Sequence, residues 1–429
     1  MGVKEQYRDY VQTGFVKRVE PVVVDHGDGA LLYDVDGTEY VDCFAGISVT
    51  NAGHNNRQVI EAAKAEMEKM VHACSYVYHV PSVGALAEKL AEITPGKLQK
   101  TFFGNSGAEA LEGAMRLAKR FTGKSEFIAL ESSFHGRTYA TLSITGNSGR
   151  KKGGGTYMPG VAFAPTPYCY RCPLNFSGPE VCDMACARRV GEVARLHLSG
   201  NVCAFIAEPV MGEGGIIAPP ADYFKVVKEY LDSEGILFIA DEVQSGFGRT
   251  GKMFAIEHYG VDPDIMCMAK GIANGFPLGA FIASAEMADS WQVGDHLSTF
   301  GGNPISCAAS LANIAFHTEQ KLAEQSATKG AALKGRFEEL MKTEQLIGDV
   351  RGKGLMVGVE LVEDRGTKVP ASAAAGFVRQ YCLDHNVLIG VGGNFGSVLR
   401  VQPPLVITDA QIDTTFRTIA DALKAFAKQ

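Results

Sequence analysis

The middle of the chain alternates short apolar runs with segments in which apolar residues recur at helical spacing. Most of the apolar runs are hydrophobic throughout instead of alternating with polar side chains. Strands that are covered on both faces by helices have this pattern, so the runs predict an α/β fold with a largely parallel sheet. The predicted strands lie within residues 100–104, 126–130, 161–165, 202–209, 235–242, 264–270 and 278–284.

The clearest predicted helix covers residues 106–123, and Gly123 is its stop signal. Ser106 with Glu109 three residues later forms a capping-box pattern at its start. A helix that begins beside glycines presents free N–H groups and the positive end of its dipole, which suits a phosphate group. A plain helix cap is the alternative interpretation.

The two ends of the chain have a different character from the middle. Residues 31–42 predict a hairpin, and the region after about residue 318 combines a strand-like run with two helical stretches. We predict that the ends fold together into a smaller α+β domain, made of residues 1–58 and 319–429. Residues 59–318 would form the large domain.

Composition and charge narrow the classes of function. The 429 residues are 46% hydrophobic and carry a formal net charge of −7, which argues against nucleic acid and anionic membranes as partners. Apolar runs stay well short of the ~20 residues that span a bilayer, and the start of the chain has no apolar signal core. A cytoplasmic enzyme is the expectation.

Two ionisable residues stand where apolar runs end. Asp241 closes "ILFIAD" and Lys270 closes "IMCMAK", and ligands bind at the carboxyl ends of strands in parallel sheets. A helix-capping aspartate and a lysine at the surface are the ordinary alternatives. Pyridoxal phosphate needs a phosphate cradle, an acid and a lysine of lowered pKa, so the combination points to that cofactor.

Eight segments spread over nearly the whole chain resemble the class III, fold-type I aminotransferases, most closely the 4-aminobutyrate aminotransferases. The segments are "FAGISVTNAGH", "FGNSGAEALEGAMRLAKR", "SFHGRTYATLSITG", "AEPVMGEGG", "ADEVQSGFGRTG", "MAKGIANGFPLGA", "STFGGNP" and "LRVQPPLVIT". The resemblance implies that Lys270 is the Schiff-base lysine of pyridoxal phosphate and that Asp241 pairs with the pyridine nitrogen.

The same resemblance implies the other cofactor contacts, for which helix capping and core packing are the alternatives. They are Ser106, Gly107 and Ala108 at the phosphate, Phe134 and Val243 on the two ring faces, His135 as a further cofactor-binding residue, Gln244 at the ring hydroxyl, and Thr299 at the phosphate of the neighbouring subunit. The last contact implies a homodimer with shared active sites, or a dimer of such dimers.

Substrate recognition is predicted from charge, because arginine binds carboxylates bidentately. The resemblance makes Arg400 the α-carboxylate residue and Arg137 the distal-carboxylate residue, while a solvated surface role is the alternative. Glu208 matches the acid that pairs with Arg400 when the substrate has no α-carboxylate, and Ile47 matches an apolar wall.

These features predict a transaminase that moves an amino group from an ω-amino acid such as 4-aminobutyrate to a keto acid, 2-oxoglutarate. The alternatives are acetylornithine, ornithine, β-alanine or diamine donors with pyruvate or glyoxylate as acceptor. An amino-acid racemase or epimerase of the same fold, or a non-catalytic binding relative, would share much of the pattern.

A cysteine-rich segment departs from this scheme. Cys169, Cys172, Cys182 and Cys186 have C-x2-C-x9-C-x3-C spacing, and four thiolates can bind zinc or an iron–sulfur cluster. The alternative is a loop of reduced or partly disulfide-bonded cysteines. We predict a structural loop without a metal.

Overall fold

The structure is a computed structural model that describes residues 2–14 and 19–428. Residue 1 and residues 15–18 of the predicted N-terminal segment, and residue 429 of the C-terminal one, lie outside the described residues. The strands are β1 Val24–Asp28, β2 Leu31–Asp34, β3 Glu39–Cys43, β4 Lys100–Gly104, β5 Glu126–Leu130, β6 Val161–Ala164, β7 Val202–Ala207, β8 Leu237–Asp241, β9 Ile265–Met268, β10 Gly279–Ala283, β11 Ile347–Lys353, β12 Met356–Asp364, β13 Val369–Pro370, β14 Val387–Gly392 and β15 Val398–Val401.

The helices surround two separate sheets. They are α1 Val3–Tyr10, α2 Ala45–Ser48, α3 Arg57–Lys69, α4 Pro81–Ile93, α5 Gly107–Thr122, α6 Tyr139–Ser143, α7 Pro179–Cys182, α8 Ala185–His197, α9 Tyr223–Glu234, α10 Ala285–Ala288, α11 Pro304–Glu319, α12 Leu322–Met341, α13 Ser372–Asp384 and α14 Asp409–Phe426. Short 3-10 turns cover Ser148–Arg150, Ala255–Tyr259 and Lys270–Ile272.

The sheet of the middle of the chain has seven strands in the order β4-β10-β9-β8-β7-β5-β6. Strands β9, β8, β7, β5 and β6 run parallel, whereas β10 lies antiparallel between β9 and β4. Each of the seven predicted runs contains one of these strands. The prediction of a largely parallel sheet is therefore confirmed, with β10 as an exception that the apolar pattern did not reveal.

Both faces of this sheet are covered. Along β7, Phe205 and Ala207 pack into one hydrophobic cluster, while Ala204 and Ile206 pack into a second cluster that contains the apolar face of α5. Because successive side chains of a strand point to opposite faces, β7 needs apolar residues at every position. This is the physical reason for the uninterrupted apolar runs in the sequence.

Helix α5 begins and ends close to the predicted residues. The backbone N–H of Glu109 donates to Oγ of the N-cap Ser106 (3.2 Å), and Gly123 ends the helix at a φ of 68°. The second half of the predicted capping box differs, because the Glu109 carboxylate accepts from the backbone N–H of Asn105 and not from that of Ser106.

The second sheet has eight strands and joins strands from both ends of the chain, in the order β1-β2-β3-β14-β15-β12-β11, with β13 beside β12. The predicted hairpin is present as the antiparallel pair β2–β3, and β3 runs parallel to β14. The predicted fold class, with a large α/β part and a smaller part built from both termini, is confirmed. The exact boundaries at residues 58/59 and 318/319 stay predictions. Over the described ranges, no helix has the length and apolar character needed to cross a membrane.

Candidate active site

Lys270 and Asp241 lie at the same edge of the seven-stranded sheet. Asp241 is the last residue of β8 and pairs in register with Cys267 of the parallel strand β9, while Lys270 lies two residues after the end of β9. Lys270 has a φ of 50°, a left-handed conformation that costs a non-glycine residue about 1–2 kcal/mol and that clusters at functional sites.

The surroundings of Lys270 favour its neutral amine. Desolvation lowers the pKa of Lys270, the negative charge of Asp241 acts in the opposite direction, and Arg400 lowers the pKa further. The negative charges of Glu208 and Glu213 raise the pKa of Lys270. A lysine of lowered pKa serves as a nucleophile and a proton carrier near neutral pH, which a solvated surface lysine does not.

Asp241 is held by His135. Oδ2 of Asp241 lies 2.7 Å from Nδ1 of His135, and its Oδ1 accepts from the backbone N–H of Val243 at 3.1 Å. The aspartate is only 3% exposed. The side-chain oxygens of Asp241 can also accept an N–H from a ligand. His135, predicted as a cofactor-binding residue, is therefore placed as the partner of Asp241.

The start of α5 forms the predicted cradle. A Cβ on Gly107 would lie 2.8 Å from Cγ1 of Val243, so a glycine allows the helix start to approach Val243 closely. Ala108 lies close to Gly136, because a Cβ added to Gly136 would be 3.0 Å from Cβ of Ala108. Ser106 caps the helix. These contacts bring together the cradle, Val243 and the segment that carries Phe134.

The residues present fit pyridoxal phosphate. The start of α5 would hold the phosphate, Asp241 the ring nitrogen, and Phe134 and Val243 the two faces of the ring beside Lys270. When bound, the cofactor supplies an electron sink for the bonds at the amino carbon of the substrate.

Arg400 is bound on all sides by acceptors. This residue of β15 is 2% exposed, and its Nη1 lies 3.0 Å from Oε2 of Glu213. Its Nη2 donates to Oε1 of Gln244 at 2.8 Å and its Nε to Oε1 of Gln402 at 3.2 Å. Gln244 was predicted at the ring hydroxyl. Here its carbonyl oxygen accepts from Arg400 and Gln402, so the ring contact stays a prediction.

The predicted pair between Glu208 and Arg400, expected while a substrate without an α-carboxylate reacts, is not formed in this structure, where Glu213 contacts Arg400 instead. Oε1 of Glu208 accepts from the backbone N–H of Phe134 (3.0 Å) and its Oε2 from that of Gly212 (2.9 Å). Burial raises the pKa of Glu208 to about 7.

The local chain path explains the difference. Glu208 directly follows β7, where it lies beneath the turn. The antiparallel bridge between Met211 and Ile217 then folds the chain back, so that Glu213 faces β15. Glu213 stands in the same quoted segment, "AEPVMGEGG", and its position between two glycines was the available signal.

The remaining predicted site residues are Ile47, Arg137 and Thr299. Ile47 is partly buried with a φ of 70°, and the neighbouring Ser48 accepts from Nε2 of Gln402 at 2.8 Å. The role of Ile47 as an apolar wall stays a prediction. The Arg137 guanidinium is exposed, 5.9 Å from the centre of the Phe134 ring, and Thr299 is exposed.

The cysteine segment is anchored away from Lys270. Cys169 is exposed and Cys186 is buried at the start of α8. Arg171 pairs with the buried Glu360 of β12 and donates to the carbonyl of Lys368 at 2.6 Å. Among the described residues, no group of three or more His, Cys, Asp or Glu side chains is arranged to hold a metal ion. The absence of a metal stays a prediction.

Comparison with known proteins identifies the family. The model of the family "Aminotransferase class-III" matches residues 15–423. An acetylornithine aminotransferase of Methanothermobacter thermautotrophicus is 40% identical over 92% of this chain and 92% of that protein. An isoleucine 2-epimerase of Lentilactobacillus buchneri is 39% identical over 94% and 90%. A 4-aminobutyrate aminotransferase of Mycobacterium bovis is 38% identical over 91% and 88%.

Solved structures agree with the family match. An amine transaminase from an uncultivated Pseudomonas species, in its pyridoxal-phosphate-bound form, gives a TM-score of 0.90 at 31% identity, over 97% of this chain and 98% of that one. The chain therefore belongs to the class III aminotransferases, the pyridoxal-phosphate-dependent family that its motifs resemble.

Proposed function

We propose that the enzyme transfers the amino group of an ω-amino acid resembling 4-aminobutyrate to 2-oxoglutarate. The observation that carries the proposal is the buried ion pair of Arg400 with Glu213. A donor whose reacting amino carbon has no carboxylate brings no anion to Arg400. Because an unpaired buried charge costs several kcal/mol, such a donor needs an internal partner for this arginine, and Glu213 is that partner.

The donor is oriented by its distant carboxylate. We assign this carboxylate to Arg137, which lies beside Phe134, so that the amino end of the donor reaches Lys270. Nζ of Lys270 then takes the proton from the amino carbon and holds it until it is returned, since its lowered pKa suits proton transfer near neutral pH. Asp241 is held in position by its bonds to His135 and Val243.

The acceptor uses the same site with a second carboxylate. The α-carboxylate of 2-oxoglutarate binds Arg400 and displaces Glu213, while the distal carboxylate binds Arg137. Glu213 thus allows one pocket to take both a substrate without an α-carboxylate and a substrate with one. The guanidinium of Arg400 stays paired in each case.

The names of the relatives support a chemical class of donor. They do not single out one compound. Acetylornithine and 4-aminobutyrate both present a primary amine on a carbon without a carboxylate, and both carry a carboxylate farther along the chain. Ornithine and β-alanine share these features, and a diamine shares the first. The test is a screen of these donors against 2-oxoglutarate, pyruvate and glyoxylate. The measured quantity is the amino acid formed from each keto acid. Turnover confined to α-amino donors would contradict the proposal.

A racemase or epimerase is the second candidate, favoured by the isoleucine 2-epimerase among the relatives. Such an enzyme acts on α-amino acids and needs no keto acid. Circular dichroism of L-isoleucine and L-leucine incubated with the enzyme alone tests it. Inversion without added keto acid would favour this function, whereas a strict keto-acid requirement favours transamination.

A homodimer belongs to the same proposal. In the single chain, large apolar side chains near Thr299 in the sequence are exposed. Leu297 and Phe300 are each 61% exposed. Tyr78 and Val77 are exposed to a similar extent, and apolar patches of this kind mark interfaces. Sedimentation tests the dimer, and recovery of activity on mixing Lys270→Ala with a Thr299→Ala variant tests the shared site.

The proposed compartment is the cytoplasm, which cell fractionation tests.

A further inference from the structure

Glu213 is shared between two arginines. Its Oε2 lies 3.0 Å from Nη1 of Arg400, and its Oε1 accepts from Nη2 of Arg150. The Glu213 side chain is 9% exposed, and that of Arg150 is 29% exposed. The two arginines therefore bind opposite oxygens of one nearly buried carboxylate, and Arg150 is the one nearer to solvent.

Both arginines act on the charge of Glu213. Burial of Glu213 is outweighed by Arg400 and Arg150, so that its pKa stays below the ordinary value. A substrate carboxylate that took Arg400 would leave Glu213 paired with Arg150.

The backbone that carries Arg150 has its own anchors, which do not involve Arg400. The backbone N–H of Arg150 donates to the carbonyl of Asn147 at 3.1 Å. The N–H of Asn147 in turn donates to the carbonyl of Ser133 at 3.0 Å.

We propose that Arg150 is a positioning residue that determines specificity, because it retains Glu213 when the α-carboxylate of a substrate takes Arg400. The inference rests on the proposed function and deepens it. Without Arg150, the displaced Glu213 would be a buried carboxylate without a cation, which opposes binding of any second carboxylate. A ligand with a single carboxylate leaves Glu213 on Arg400 and gains little from Arg150.

The test uses two unreactive ligands of equal chain length, so that it does not depend on turnover. Glutarate carries a carboxylate at each end, and pentanoate carries one. Their affinities for the holoenzyme are measured by calorimetry in the wild type, Arg150→Gln, Arg150→Lys and Lys152→Gln. Lys152 is an exposed cation of the same segment, so its variant is matched in charge.

We expect Arg150→Gln to weaken the affinity for glutarate about tenfold or more and the affinity for pentanoate by less than about threefold. Arg150→Lys should restore the affinity for glutarate, and Lys152→Gln should change neither affinity. In a Glu213→Gln background, Arg150→Gln should have no further effect on glutarate, because no carboxylate remains to be retained.

Equal weakening of both ligands, no weakening of glutarate, or an undiminished effect in the Glu213→Gln background would overturn the inference. Failure of the proposed function gives a different result, since the wild-type enzyme would then bind glutarate no better than pentanoate. That outcome would remove the dicarboxylate acceptor and, with it, the role of Arg150.

Discussion

Glu213 and Arg400 form a buried ion pair of 3.0 Å although 187 residues separate them in the chain. Glu213 comes from the turn after β7 of the seven-stranded sheet and Arg400 from β15 of the eight-stranded sheet, so the pair joins the two parts of the molecule. The pair gives Arg400 an internal anion. In the proposed function, this anion allows the site to take a donor whose amino carbon has no carboxylate.

The first prediction concerns the covalent role of Lys270. Lys270→Ala should lose turnover but still retain pyridoxal phosphate non-covalently, because the start of α5 and Asp241 are unchanged. Borohydride reduction of the native enzyme followed by peptide mapping should find the cofactor on Lys270. The exposed Lys252 provides the control, since Lys252→Ala should behave as the wild type. An adduct on another lysine would show that the assignment is wrong.

The second prediction is that Glu208 has a structural role, unlike Glu213, which pairs with Arg400. Glu208→Ala removes the acceptor of two backbone N–H groups, those of Phe134 and Gly212. Leaving them unsatisfied in a buried place should lower the free energy of unfolding by about 2 kcal/mol or more, measured in urea. Glu208→Gln keeps one acceptor oxygen and should lose less. If the alanine variant is as stable as the wild type, the structural role of Glu208 is excluded.

The third prediction is that the cysteine segment is dispensable for the chemistry. The segment is anchored through Arg171 to Glu360 and to Lys368. A Cys169→Ser/Cys172→Ser enzyme should keep its cofactor spectrum and much of its activity, with a lower melting temperature. Stoichiometric zinc or iron in the wild type, lost together with activity in this variant, would refute the prediction.

The strands and the ends of α5 followed from the sequence because they obey local rules. The run around Phe205 is apolar on both faces, and Ser106 and Gly123 bound α5 through their own side-chain and backbone properties. The partner of Arg400 could not be chosen in this way. Glu208 and Glu213 are five positions apart in one segment, and the turn between Met211 and Ile217 decides which of them faces β15. Arg150 was missed because its contact with Glu213 is long-range.

The fourth prediction concerns stability in acid. Burial lowers the pKa of His317 to about 3, with the nearby charge of Arg249 acting in the same direction. The unfolded chain binds a proton near pH 6.5, whereas the folded state does not, so stability is lost as the pH falls from about 6.5 towards 3. At pH 4.5 the His317 contribution to this loss should be about 2–3 kcal/mol.

His317→Gln should therefore flatten the acid side of the stability profile, measured by urea unfolding between pH 8 and 4.5. The exposed His197 is the matched control, and His197→Gln should leave the profile unchanged. Parallel profiles for His317→Gln and the wild type would contradict the assignment of this acid sensitivity to His317.

The most direct test of the account is single-turnover kinetics of Glu213→Ala with 4-aminobutyrate and with glutamate. Without Glu213, the buried Arg400 has no anion while 4-aminobutyrate reacts, but it still receives the α-carboxylate of glutamate. We expect the half-reaction with 4-aminobutyrate to slow about tenfold or more relative to that with glutamate. Equal losses in the two half-reactions, or a larger loss with glutamate, would contradict the role of the Glu213–Arg400 pair and the ω-amino donor inferred from it.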